Sequence, residues 1–182
     1  MKRLLVFALV GICCANVAFA QRPGTIAIFS DAGGTDCNFV EGGYLIFVYF
    51  FHIHYDFAMG SRFMVDVTLT DWLFLGDYWD FRLWGGHSVA GVEVYYEACL
   101  SGPTYLGFAQ FFVSTSAPPC SPIGIVGTPA TQSGEIEVID CTNTWQVAAG
   151  GQGVVNPDQT CMCSPPVPVE QTTWSQVKAL YR

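Results

Sequence analysis

The stretch that decides the fold is residues 44–55, YLIFVYFFHIHY, which is apolar at nearly every position over the length of a long β-strand. A strand that is apolar on both faces is typical of a position buried on both sides, or of the centre of a sheet beneath a loop. We therefore expect Tyr44–Tyr55 to be covered, because an uncovered strand of this composition is an aggregation hazard.

Short apolar or alternating runs lie on both sides of this stretch, and a helical period is absent until the last dozen residues. Gly, Pro, Asp, Asn and Ser separate the runs, which is typical of an all-β chain. The candidate strands are Thr25–Phe29, Tyr44–Tyr55, Arg62–Thr68, Trp72–Leu75, Phe81–Trp84, Val92–Ala98, Tyr105–Ser114, Glu135–Asp140 and Gln146–Ala148. Their number and spacing predict a two-sheet antiparallel sandwich of the immunoglobulin-like size class, with a short C-terminal helix or tail.

The ends of the 182-residue chain differ from this β-rich middle. Residues 1–20 have the basic start, apolar run and small residues of a secretory signal peptide. Residues 21–163 are expected to form the β-sandwich domain, 164–172 a proline-rich linker, and 173–182 a tail that forms a short helix. We therefore expect an exported protein that is extracellular, periplasmic or on the cell surface, with no transmembrane span in the mature chain.

The charge of the chain limits its partners. Removing residues 1–20 takes away two of the seven basic residues, Lys2 and Arg3, and changes the net charge from −8 to −10. Binding to phosphate backbones needs clustered Lys and Arg, which are absent. The sequence therefore excludes nucleic acid as a partner and disfavours anionic membrane surfaces.

Six of the eight cysteines lie beyond residue 20: Cys37, Cys99, Cys120, Cys141, Cys161 and Cys163. An even number in an exported chain predicts disulfides, and the C-x2-C pairs that zinc sites prefer are absent. We expect one bond between Cys37 and Cys99. A Cys161–Cys163 bond would close a strained small ring, so each of these two is expected to pair with Cys120 or Cys141, in an order left open.

The first candidate site is a metal site at His52, His54 and Asp56, three positions that share one face of a strand. The pattern resembles the H-x-H-x-D core of metallo-hydrolases, but Phe57 stands where a further histidine is needed. The alternative is a strand end at which these side chains hydrogen-bond locally. A metal-dependent hydrolase is therefore the least favoured of the three functions considered.

The second candidate is a carbohydrate-binding surface in the Asp71–Trp84 segment. Aromatic faces stack on sugar rings, while carboxylates and an arginine bind hydroxyls. The candidate residues are Trp72, Asp77, Tyr78, Trp79, Asp80 and Arg82. The alternative is a short hairpin in which Trp72, Phe74 and Trp84 fill the core while Tyr78 and Trp79 lie at the tip.

The third candidate is an ion site in acidic loops such as Asp31–Asp36. Calcium prefers hard oxygen ligands, but the EF-hand pattern is absent and surface charge is the favoured explanation. No cofactor is expected, with calcium or zinc as the ions these residues would suit. No catalytic residue is assigned, because a G-x-S-x-G motif is missing and the cysteines are expected to be bonded.

The tail has an apolar side, with Trp174, Val177 and Tyr181 at helical spacing, beside Leu180 and the basic Lys178. A helix of this length needs a surface to pack on. That surface is either its own sandwich or another molecule, such as a sorting or docking partner in the cell envelope, and the sequence leaves both open.

Several motifs together carry a resemblance over most of the chain. They are GTIAIFSD at 24–31, TDC at 35–37, FHI at 51–53, LGD at 75–77, GEIEVIDC at 134–141, VVNPD at 154–158 with C-x-C after it, and TTWSQVKALYR at 172–182. In these the chain resembles a family of exported bacterial proteins to which no activity is assigned. The resemblance implies a secreted β-rich domain with a separate tail, and it supplies no catalytic residue.

These observations favour a secreted or envelope-associated, non-enzymatic sandwich with a structural or binding role. The tail is a candidate sorting or docking element, and a carbohydrate-binding module is the alternative. The aromatic residues of Tyr44–Tyr55 and Asp71–Trp84 pose the remaining question: either all of them are interior, or one patch of them is a binding surface.

Overall fold

The computed structural model describes residues 24–54, 56–131 and 133–164, and within these ranges every regular element is a strand. The strands are β1 Thr25–Phe29, β2 Asn38–Phe39, β3 Leu45–Ile53, β4 Ala58–Asp66, β5 Trp72–Trp79, β6 Arg82–His87, β7 Gly91–Leu100, β8 Pro103–Val113, β9 Ser121–Val126, β10 Glu137–Asp140, β11 Trp145–Val147, β12 Ala149–Gly150 and β13 Gln152–Val155.

The strands form two packed sheets, which confirms the predicted sandwich. The first sheet has the order β12-β1-β3-β8-β5, and the second has the order β11-β10-β4-β9-β13-β2, with β7 against β4 and β6 against β7. Most neighbours are antiparallel, but β1 pairs with β12 and β2 with β13 in parallel. The sheets are therefore mixed rather than antiparallel throughout.

Alternating side chains of both sheets build the core. Ile46, Val48 and Phe50 point inward from β3, opposite Phe63 of β4, and Phe111 of β8 joins them. Burying a large apolar side chain of this kind stabilises a fold by about 1.5 to 3 kcal/mol. As expected from its composition, β3 lies centrally, between β1 and β8.

The Asp71–Trp84 segment is not a hairpin. β5 pairs with β8 in the first sheet, whereas β6 pairs with β7 in the second. The chain crosses from one sheet to the other at Asp80, whose amide donates to the carbonyl of Leu106. The hairpin interpretation was wrong because two short strands joined by a tight connection can equally belong to opposite sheets.

The six cysteines form three disulfides, Cys37–Cys163, Cys99–Cys141 and Cys120–Cys161. The expected Cys37–Cys99 bond is therefore wrong, and so is the expected pairing of Cys163 with Cys120 or Cys141, because Cys163 pairs with Cys37. The expected pairing of Cys161 is right, since it pairs with Cys120. The physical reason is strand order. β7 and β10 flank the start of β4, where Ala58 pairs with Leu100 and with Asp140, and this brings Cys99 and Cys141 together.

Several predictions lie outside the described residues: the signal peptide at 1–20, all of the linker except Ser164, and the tail with Trp174, Val177, Lys178, Leu180 and Tyr181. Within the part that the structure describes, no helix is long and apolar enough to cross a membrane.

Candidate functional site

His52 belongs to a buried polar chain that joins the two sheets. Its Nδ1 lies 2.9 Å from the hydroxyl of Tyr96, and that hydroxyl donates to Oγ of Ser61 at 2.8 Å. His52 comes from β3 in the first sheet, whereas Tyr96 and Ser61 come from β7 and β4 in the second. All three side chains are buried, so the chain satisfies polar groups inside the core.

The ring of His54 packs against that of His52, tilted by 31° with 3.7 Å between the centroids, and its Nε2 lies 3.1 Å from Oγ1 of Thr104. Burial lowers the pKa of His54 to about 4, so the ring is neutral at neutral pH. Asp56 is exposed. The two histidines thus come together in a structural contact at the edge of the core, the local arrangement considered as the alternative to a metal site.

The metal hypothesis for His52, His54 and Asp56 gains no support from this geometry. Among the residues the structure describes, three potential ligand atoms lie within 4.8 Å of one another only at Cys120, Asp158 and Cys161. Both of those cysteines belong to one disulfide, so their sulfur atoms are already bonded to each other.

The acidic loop at Asp31 is a closed turn. The Asp31 carboxylate accepts hydrogen bonds from the amides of Gly33, Thr35 and Asp36, at 3.1, 2.9 and 2.7 Å, and from the Thr35 hydroxyl at 2.9 Å. Burial opposes ionisation, but these hydrogen bonds outweigh it and lower the pKa of Asp31. The oxygens that calcium would need are therefore used to close the turn.

Three of the six candidate carbohydrate-binding residues make contacts inside the sandwich. Trp72 is buried and donates its Nε1 hydrogen to Glu41 at 2.6 Å. Trp79 stacks on Phe50 in the core, at 5.2 Å between centroids. The Asp77 carboxylate accepts from both the amide and the hydroxyl of buried Ser88, each at 2.7 Å.

The other three candidates are exposed but separated. Tyr78 lies on the outside of the first sheet, Asp80 on the connection between sheets, and Arg82 on β6 in the second sheet. The structure therefore does not gather the six into one surface. The aromatic pair that it does present in this region is Trp84 stacked on Tyr95, with 4.8 Å between centroids and half of Trp84 exposed.

A different surface stands out on the side of the first sheet that faces away from the core. Because side chains alternate along a strand, β3, β8 and β5 each place an apolar set on this side. We call it the outer aromatic face: Leu45, Phe47, Tyr49, Phe51, Leu73, Leu75, Tyr78, Tyr105, Phe108 and Phe112, together with Tyr44, which precedes β3 and stacks on Phe112.

Strand register makes this face continuous. Leu45 and Leu73 both pair with Phe112, and Tyr49 and Tyr78 both pair with Phe108, so rows of apolar side chains run across three strands. Neighbouring rings are in contact, at 5.6 Å between the centroids of Phe47 and Phe108 and 5.5 Å between those of Tyr78 and Phe108.

The face is both exposed and uncharged. Seven of its side chains are between 36% and 77% exposed: Tyr44, Leu45, Phe47, Leu73, Leu75, Tyr78 and Phe112. No outward position of β3, β5 or β8 carries Asp, Glu, Lys or Arg. Burial, together with the charge of Asp80 and the nearby Tyr49 and Tyr78, raises the pKa of Tyr105 to about 12, so this phenol stays neutral as well.

On the outer side of the first sheet, the part next to β1 is covered by other residues of the chain. Ala27, Phe29 and Ile53 point outward but are buried beneath Cys37 and partly buried Cys163. Gly34 lies over the ring of Phe51, where an added Cβ would sit 3.2 Å from the nearest ring atom. The prediction that Tyr44–Tyr55 is covered is therefore right at this end.

At the other end no residue that the structure describes covers the strand, since Leu45 and Phe47 are exposed. Sequence reasoning also missed the contributions of β8 and β5 to this surface. The signal that could have found them is the run TYLGFAQFFV at 104–113, which is apolar on both faces in the same way as β3. Two adjacent strands of that kind predict a broad apolar face.

A shallow cavity of about 510 Å³ lies beside β12, lined by Thr25, Pro122 and residues 149–154 together with Met162, Cys163 and Ser164. Its polar side chains are those of Thr25, Gln152 and Ser164, and its lining has no histidine, carboxylate or lysine. The cavity therefore supplies no acid, base or charged ligand group.

Comparison with known proteins assigns the chain to no family. No family model matches the sequence, and no curated protein matches it. Among solved structures, the chain is similar to a cohesin module from a family 33 glycoside hydrolase of Clostridium perfringens ATCC13124. The two share 9% identity with a TM-score of 0.43, over 76% of this chain and 100% of the module. A likeness of this degree carries no functional argument.

Proposed function

We propose that the chain is an exported, non-enzymatic module that binds a protein of the cell envelope through its outer aromatic face. The observation that carries the proposal is the face itself, a continuous and exposed set of aromatic and leucine side chains without charge. Exposed apolar patches of this kind mark interaction sites, and aromatic residues are enriched in protein interfaces.

The chemistry of the face favours a protein over a sugar. Sugar sites combine one or two stacking rings with several polar groups that bind hydroxyls. Here Phe and Leu occupy most positions, and Gln110 supplies the one side-chain amide among the outward residues of the three strands. A partner with apolar side chains fits such a surface better than a hydroxyl-rich ligand.

Export and the absence of enzymatic activity are supported by separate observations. Three disulfides in a chain of this size are typical of oxidising compartments outside the cytosol. His52 and His54, the histidines considered for catalysis, are buried in structural contacts. The disulfides support export, and the buried histidines support a non-enzymatic role, in line with the secreted or envelope-associated role expected from the sequence.

Cell fractionation tests the proposal. Leu75→Ser removes an exposed apolar side chain from the face, and Val147→Ser makes the matched change at an exposed position of the second sheet. We expect wild type and Val147→Ser to be retained in the envelope fraction and Leu75→Ser to shift to the soluble or secreted fraction. Equal retention of all three proteins would overturn the proposal.

A carbohydrate-binding role is the second candidate, and the stacked pair of Trp84 and Tyr95 is the observation that favours it. A glycan-binding screen with Trp84→Ala decides this. Trp79→Ala is unsuitable as the probe because Trp79 packs inside the sandwich.

A sorting role for residues 173–182 is a third, separate hypothesis, derived from the sequence. Fractionating the full chain beside a version ending at Cys163 tests it. If both proteins reach the same fraction in equal amounts, the sorting role is rejected.

A further inference from the structure

We propose that residues 173–182 fold back onto the outer aromatic face of the same chain and cover it. This inference rests on the face used in the proposed function and names an occupant from within the chain, which an envelope partner has to displace.

The described part of the chain ends on the same side of the sheet as the face. Cys163 is bonded to Cys37, and its amide donates to Oδ1 of Asn38 at 2.8 Å while its carbonyl accepts from Nδ2 of Asn38 at 3.3 Å. The side chain of Cys163 packs against Phe29 and its neighbours on the outer side of the first sheet. Ser164 also lines the cavity beside β12, so the described chain ends at the β1 edge of this side, and the exposed face begins on the next strand, β3.

The face is also continuous with a region that is already covered. Cys163 and the loop containing Gly34 cover one end of this sheet side, where Phe29 and Phe51 meet at 5.2 Å between centroids. The exposed part begins in the adjoining rows of β3, at Phe47 and Tyr49, and continues across β8 to β5. A segment that continues from Cys163 over the exposed part would therefore lie next to residues that already cover this side of the sheet.

The linker is long enough to reach the face. The residues between Cys163 and Thr173 include Pro165, Pro166 and Pro168. A proline-rich segment of this length spans up to about 30 Å at about 3.1 Å per residue. The face lies within three strand spacings of β1, or about 14 Å. A short tether of adequate length strongly favours binding within one chain over binding to a second copy.

The tail and the face are chemically complementary. The tail presents Trp174, Val177, Leu180 and Tyr181, which match an aromatic and leucine surface. It also carries Lys178 and Arg182, whereas the described residues are strongly acidic with Arg62 and Arg82 as their cations. Asp80 lies at the margin of the face, near Tyr105, where a lysine or arginine of the tail can pair with it.

Hydroxyl-radical footprinting of the full chain tests the inference, because it reports the accessibility of individual side chains. Labelling of Leu75 and Tyr78 on the face is compared with labelling of Trp84 away from it. The variant Trp174→Ser/Tyr181→Ser removes the tail's largest apolar groups, and Gln176→Ser is the matched tail control. Leu75, Tyr78 and Trp84 are each at least half exposed among the described residues, so their labelling does not require opening of the core.

We expect Leu75 and Tyr78 to be labelled severalfold faster in Trp174→Ser/Tyr181→Ser than in wild type or Gln176→Ser, with Trp84 unchanged. Unchanged labelling of the face overturns the inference. Protection that disappears on dilution of the wild-type chain also overturns it, because the occupant is then a second copy.

The two proposals fail in different ways. The proposed function stands and this inference is rejected if Leu75→Ser lowers envelope retention but the labelling of Leu75 and Tyr78 is the same in wild type and Trp174→Ser/Tyr181→Ser. If labelling responds to the tail variant while retention is independent of Leu75, the tail covers the face and the envelope-binding function is rejected.

Discussion

At the scale of single residues, Glu41 holds three loops and a strand together. Its carboxylate accepts from Nε1 of Trp72 at 2.6 Å, from the Ser116 hydroxyl at 2.6 Å, from the Ala117 amide at 3.0 Å and from Nδ2 of Asn156 at 2.7 Å. Burial opposes ionisation, but the hydrogen bonds outweigh it and lower the pKa of Glu41. The ionised carboxylate is therefore the form that stabilises this junction.

Glu41→Gln tests this role. Hydrogen bonds to a charged group contribute about 1.5 to 3 kcal/mol, so we expect the free energy of unfolding to fall by about 1 to 3 kcal/mol in a denaturant titration. Glu135→Gln is the control, because Glu135 is exposed and is not one of the hydrogen-bond partners of Glu41. Equal stability of the two variants would contradict the role assigned to Glu41.

His54 makes stability depend on pH. Its pKa is lowered by burial from 6.5 to about 4, so the unfolded chain binds a proton that the folded chain does not bind between these values. Stability conferred by neutral His54 is therefore complete above about pH 6.5 and is lost progressively toward about pH 4. We expect unfolding free energies to decrease over this range.

His54→Gln should reduce that pH dependence while leaving Thr104 with a hydrogen-bonding neighbour. His87→Gln is the control, because His87 is exposed on β6. A pH dependence in His54→Gln as steep as in wild type would show that another group is responsible.

At the scale of elements, the close pairing of β8 with the end of β5 depends on Gly107, which lies beside the bulge between β3 and β8. Its φ is 149°, and a Cβ at this position would collide with the carbonyl oxygen of Tyr78. We expect Gly107→Ala to lower the free energy of unfolding by more than about 1 kcal/mol. At Gly76, on the opposing strand, an added Cβ meets nothing within 4 Å, so Gly76→Ala is the matched control. Similar melting temperatures for the two variants would refute this role of Gly107.

The disulfides are a second prediction at this scale. Peptide mapping without reduction should find Cys37–Cys163, Cys99–Cys141 and Cys120–Cys161. The Cys37–Cys163 bond spans a sequence separation of 126 residues, and the loss of such a bond typically costs about 2 to 5 kcal/mol. Recovery of a Cys37–Cys99 peptide would contradict the strand order of the two sheets.

The sequence predicted where the strands lie better than it predicted which strands pair with each other. The composition of β3 was enough to place it centrally, because a strand apolar on both faces needs neighbours and cover. Composition was not enough to place β5 and β6 in different sheets. Strands of both sheets alternate between inward apolar and outward side chains, so the pattern does not show to which sheet a strand belongs. The Cys37–Cys99 expectation failed for the same reason, because disulfide pairing depends on which strands become neighbours in space.

The candidate sites show the same limit. Trp72 and Trp79 could serve a sugar site or the core equally well by composition, and their contacts with Glu41 and Phe50 assign them to the interior. The outer aromatic face could not be predicted as a unit, because it requires the register of three strands that are distant in the sequence.

At the scale of the whole molecule, the outer aromatic face sets this sandwich apart. Aromatic rings of β3, β8 and β5 pack against one another on this face, so we expect a partner to lose little free energy in ordering it. Since the face carries no charge, its binding should depend on burial of apolar area rather than on salt-sensitive attraction.

The most direct test of a protein-binding face is sedimentation of the purified chain with envelope material, with and without prior protease treatment of that material. We predict binding that persists in high salt, that is lost after protease treatment, and that is much weaker for Leu75→Ser than for Val147→Ser. Binding that survives protease treatment, or that is equally strong for both variants, would contradict the claim that the outer aromatic face binds a protein.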